Sequence, residues 1–201
     1  MSLHRFYAYL AFLLVILQVV VILLSWFVAA AFPTLPIRSL LSSEGVRWFL
    51  GSVVTNMASP MLVWLLLLGI AVGTLRGSGL LHAFKEQLNY RQRMAVRLVI
   101  IELLLAILIV LGLTAVPHAI LLSITGHLFP SSFSAGIVPM LSAIVAIMSI
   151  SYAWMSGRLH GIEEAVMLLE SGIRQVAPLT LLYLLGVQLW FSGVFVLAYM
   201  V

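Results

Sequence analysis

Across residues 6–32 no side chain carries a charge, and only Gln18 and Ser25 interrupt the apolar run. As an α-helix such a run is roughly 40 Å long at about 1.5 Å per residue, against about 30 Å for the hydrocarbon core of a bilayer. Lipid offers no water to backbone amides and carbonyls, so a segment immersed in it must satisfy them internally, which a helix does. The run also exceeds the roughly 7–15 residues of a signal-peptide core. Despite the cleavage-like Ala29-Ala30-Ala31, it therefore reads as an uncleaved first span over residues 7–31. With 64% hydrophobic and 8% charged residues, the whole chain falls under the same constraint. The expectation is an all-α integral membrane protein with about five transmembrane helices in a single domain over residues 1–201, the further spans lying near 60–76, 97–114, 137–156 and 178–200.

Two stretches depart from uniform apolarity. In residues 43–57, Val46, Phe49, Leu50, Val53, Val54 and Met57 recur three and four apart, with Arg47, Ser52 and Thr55 on the other side; that is the pattern of an amphipathic helix. Trp48 beside Arg47 suits the membrane–water boundary, where an indole is apolar at one end and wet at the other. Residues 161–177 repeat the pattern with Ile162, Val166, Leu169, Ile173 and Val176. There Glu170 and Arg174 stand four apart in the favourable order, worth roughly 0.2–0.5 kcal/mol. Both stretches are predicted to lie flat as interfacial helices. Each precedes a proline, Pro60 or Pro178, that opens a span, a loose internal echo of the kind many transporter folds carry. Gly69, Gly73 and Gly77 share one face of the second span, the spacing that lets membrane helices approach closely, although it also arises by chance.

With the N-terminus in the cytoplasm, Arg5, Arg76, Lys85, Arg91, Arg93, Arg97, Arg158 and Arg174 lie inside and only Arg38 and Arg47 outside. That distribution obeys the positive-inside rule. The excess of basic residues thus orients helices rather than recruiting nucleic acid. Residues 114–136 contain no Lys or Arg and read as a serine-rich loop with Pro117 and Pro130.

No cysteine is present, which excludes disulfides, thiolate metal sites and a thiol nucleophile. All six acidic residues are glutamates. No G-x-S-x-G, H-E-x-x-H or phosphate-binding glycine loop occurs, so neither enzymatic activity nor a cofactor is expected. His118 and His127 share a loop without carboxylate support and read as ordinary loop histidines, so no metal site is expected. Glu102 is the one carboxylate inside a span. A charge there costs several kcal/mol unless neutralised or paired, so Glu102 is either a proton carrier or a side chain that reaches the interface or a neighbouring arginine. Gln188 lies mid-span with Ser192 four residues on, placed for cross-helix hydrogen bonding or for ligand contact. Glu102, Asn56 and Gln188 are the candidates for a substrate or proton pathway.

Leu40, Leu41, Ser42, Glu44, Gly45, Trp48, Phe49 and Asn56, followed by an apolar helix and Gly79-Leu80-Leu81, resemble the early motif of the AbgT family, the p-aminobenzoyl-glutamate transporters of bacterial inner membranes. A later block, with Gly136, Ile137, Val138, Pro139, Glu170 and Gln188, is similar to a C-terminal part of the same family; together the blocks cover about half of the chain. The resemblance implies a dimeric or otherwise oligomeric carrier of small organic anions such as p-aminobenzoyl-glutamate, driven by an ion gradient and embedded in the bilayer. Departures are as informative. The family's members are about twice as long and carry re-entrant hairpins with a serine-serine-aspartate signature, which by resemblance build the substrate site. This chain lacks them and lacks aspartate altogether. It thus looks like a condensed form, either a transporter that works as a homo-oligomer or a non-transporting scaffold or subunit of a larger membrane complex.

Overall fold

A computed structural model describes residues 3–84, 88–114 and 131–197. Among them are seven α-helices and no strand: α1 Leu3–Ala31, α2 Ser43–Gly51, α3 Val53–Met57, α4 Pro60–Ser78, α5 Tyr90–Thr114, α6 Ser132–Met155 and α7 Ile162–Leu197. Five of them, α1 and α4 to α7, are long and apolar enough to cross a membrane. The protein is all-α and fits a lipid bilayer, as its apolar runs require.

Helix boundaries follow local chemistry more closely than hydropathy does. Hydropathy places the third span at 97–114, yet α5 begins at Tyr90 and carries Arg91, Arg93 and Arg97 in its first turns. The Gln92 side chain accepts a hydrogen bond from the Asn89 amide (3.0 Å), one half of a capping box. Arginine is also a good helix former. Likewise α6 begins at Ser132 rather than 137, because Ser131 and Ser134 form a complete capping box. Residues 132–136, expected as loop, are therefore helical; the rest of that loop, with His118 and His127, lies outside the described residues.

The largest correction concerns Pro178. It does not open a new helix, and residues 161–177 are not a helix of their own. They form the first half of one 36-residue helix, α7, with Pro178 in its interior. Proline there removes one amide donor, whereas ending the helix would strand several backbone groups at each new terminus. Around apolar segments that second cost is the greater. The stretch at 43–57 is helical as expected, but Ser52 divides it into α2 and α3. Pro60 takes the first position of α4, where its missing N–H costs nothing.

The chain divides into two compact units, residues 1–63 with 177–201, and residues 64–176. In the first, Ser25 of α1 donates to the Ile22 carbonyl (2.8 Å) and accepts from the Leu40 amide (3.1 Å). The Arg38 amide donates to the Val196 carbonyl (3.2 Å). Gly45 packs so tightly on the Ser39–Leu40 backbone that a β-carbon would overlap it. In the second unit, Gly69, Gly73 and Gly77 of α4 face Val176, Gly172 and Leu168 of α7, and a β-carbon on Gly73 would collide with the Gly172 backbone. Leu80, Ala83, Ala95, Val99 and Tyr152 form a buried cluster, with Leu75 of α4 packed against it.

Candidate functional site

The site is built in the first unit. α2 is fixed at its start by Ser42, whose hydroxyl accepts from the Gly45 amide (3.0 Å), and this sets the direction of Trp48. The Trp48 indole stacks on the Phe195 ring of α7, centroids 4.4 Å apart and planes 18° from parallel. The Arg38 guanidinium stands 5.6 Å from the centroid of the same Phe195 ring and 3.6 Å from the Glu44 carboxylate. These side chains, with Arg47 and Asn56, line a cleft of about 550 Å³. Arg47 is exposed, and none of the ion pairs among the described residues includes it. Two guanidinium groups and one carboxylate leave the cleft with a formal surplus of one positive charge. The Arg38–Glu44 pair is half open to solvent, its side chains 31% and 70% exposed, so the pair itself contributes little to stability.

Beneath the cleft, polar groups continue inward. Asn56 Nδ2 donates to Gln188 Oε1 (3.4 Å). Ser192 Oγ donates to the Gln188 carbonyl (2.8 Å) and accepts from Gln18 Nε2 (2.9 Å). Gln188 is 7% exposed and Ser192 fully buried. Amides linked this way are tolerated between apolar helices because each answers part of the other's hydrogen-bonding need. The answer is incomplete: Gln188 Nε2 and Gln18 Oε1 are buried without a partner. A buried donor and a buried acceptor thus remain open on this ladder, beside a cationic and aromatic cleft.

Of the three pathway candidates, the structure brings Asn56 and Gln188 together. Glu102 belongs to the other unit, on α5, and has no part in this hydrogen-bonded chain. Sequence reasoning missed Gln18 and Arg38 as members of the site and Gly172 as the partner of Gly73. A signal for Gln18 existed, since Gln18 and Ser25 are seven residues apart and so lie on one face of α1. Arg38 gave none, because its place depends on a segment outside any helix. Neither a protein-family model, nor a curated protein, nor a solved structure matches this chain.

Proposed function

We propose that the chain is a transport protein of the AbgT kind, which carries small organic anions across the bacterial inner membrane. What supports this reading is the cleft of Arg38, Arg47, Trp48 and Phe195 that leads onto the Asn56–Gln188 pair. A ligand such as p-aminobenzoyl-glutamate would place a carboxylate between the two guanidinium groups, where charge-assisted hydrogen bonds are the strong ones. Its ring would lie against the Trp48–Phe195 stack. Its amide carbonyl would accept from Gln188 Nε2, the donor that otherwise stays unsatisfied. With the N-terminus cytoplasmic, the distribution of basic residues puts this cleft on the outer side. In this reading the working unit is a homo-oligomer.

The test is flux into proteoliposomes containing only this protein, with p-aminobenzoyl-glutamate and a panel of organic anions. Saturable uptake lost in Gln188→Leu is the expected result. Absence of uptake, together with a stably co-purifying partner, would favour the second reading, a non-transporting subunit. That reading has its own support in the lack of any aspartate among these 201 residues.

A further inference from the structure

α6 presents two unlike faces. Ser142, Ala146, Ser149 and Ala153, at intervals of four and three, are buried. On the opposite side Met140, Ala143, Ile144 and Ile147 meet α5 along a groove of about 380 Å³, whose α5 wall runs from Glu102 to Leu113. The groove opens outward, for Leu105, Ile109 and Ile147 on its walls are 55%, 52% and 59% exposed, which on a membrane-crossing pair of helices means exposed to lipid. Its lining is apolar throughout except for one group, the Glu102 carboxyl. Oε2 of that carboxyl is buried without a hydrogen-bond partner, and no ion pair among the described residues involves Glu102. Arg97, five residues away, lies off its face of the helix.

We propose that this groove binds a single-chain amphiphilic amine that reaches it from the bilayer, its ammonium on the Glu102 carboxylate and its tail along α5 and α6 towards Leu113. A carboxylate in an apolar surround calls for a counter-charge, and none of the ion pairs among the described residues supplies one. The geometry selects among cations. Glu102 is about 7 Å along the helix from Arg97 and the wall beyond it about 16 Å long, so a polar head fits at the end nearer the interface and a chain fits in the remainder. A hydrated inorganic cation would leave that length unfilled, and an anionic amphiphile would meet like charge. The inference lies in the second unit and does not depend on the organic-anion reading.

The experiment uses the full chain in phosphatidylcholine nanodiscs with three dodecyl probes bearing the same diazirine on the tail and an ammonium, a hydroxyl or a sulfate head. Labelled residues are mapped by peptide mass spectrometry. The ammonium probe is expected to label groove residues such as Ala106, Ile109 and Ile147 about tenfold more than the alcohol, the factor of one charge-assisted contact. Glu102→Gln should bring the ammonium probe down to the alcohol level. Ala143→Trp, which fills the groove and leaves the carboxyl, should abolish labelling by both, with helix content by circular dichroism as the control on each variant. Equal labelling by all three heads, or ammonium labelling that survives Glu102→Gln, would overturn the proposal. So would competition by phosphatidylethanolamine, which would assign the site to a lipid headgroup, or crosslinks between two copies through α5 and α6, which would make the groove a subunit contact.

Discussion

Polar side chains meet different fates in the two units. In the first, Gln18, Asn56, Gln188 and Ser192 find one another, so that each is at least partly satisfied. In the second, Glu102 Oε2 and the hydroxyls of Ser142 and Ser149 are buried with no partner. Amides and hydroxyls both donate and accept, so neighbours of the same kind can serve each other. An ionised carboxylate only accepts, and on α5 its surroundings are apolar. The comparison teaches that a self-complementary type permits internal cohesion without ensuring it, since the Ser142 and Ser149 hydroxyls stay unpaired, whereas an ionised carboxylate has to be answered by a group of another kind.

Several substitutions would break or sharpen that contrast. Gly73→Leu should have the largest effect, because its side chain would enter the Gly172 backbone. Overpacking of that kind costs about 1–3 kcal/mol and occasionally more, and denaturation in detergent followed by circular dichroism should show the loss without any special damage to the first unit's ladder. Gln188→Leu should come next: it strands Asn56 and removes the open donor, destabilising by about 1–3 kcal/mol and abolishing flux. If Gln188→Leu left flux intact, the ladder would be cohesive only. Glu102→Gln should leave organic-anion flux unchanged, which separates the units cleanly; loss of a proton-coupled component would instead restore Glu102 to the transport path. Arg47→Ala should raise the apparent KM several-fold with little change in stability, since the side chain is exposed. Glu44→Gln should be smallest, within about 1 kcal/mol for a solvent-open pair, and should lower KM slightly as Arg38 gives up its competitor.

What the sequence makes legible divides along physical lines. Apolar length is read directly, so five spans and an all-α protein follow from runs such as residues 6–32. The Gly69-Gly73-Gly77 face was visible because it is periodic, but Gly172 was hidden inside a stretch whose charges suggest a helix lying on a surface. Pro178 misleads because a proline rule learned where water rescues free carbonyls weakens among apolar segments. The starts of α5 and α6 lie in Gln92 and Ser131, short-range capping groups that a hydropathy window averages away. In the site, Asn56 and Gln188 stand 132 residues apart; each can be suspected alone, but only the fold reveals that they meet.

The first helix offers a last consequence. α1 is tied by Ser25 to Leu40, which follows 15 residues later, and by Gln18 to Ser192, which follows 174 residues later. A ribosome delivers the first anchor almost at once and the second only 174 residues after Gln18. Of these two ties, the one to Leu40 can form early, whereas the one to Ser192 must wait until α7 has been made, so α1 is secured in two steps well separated in time.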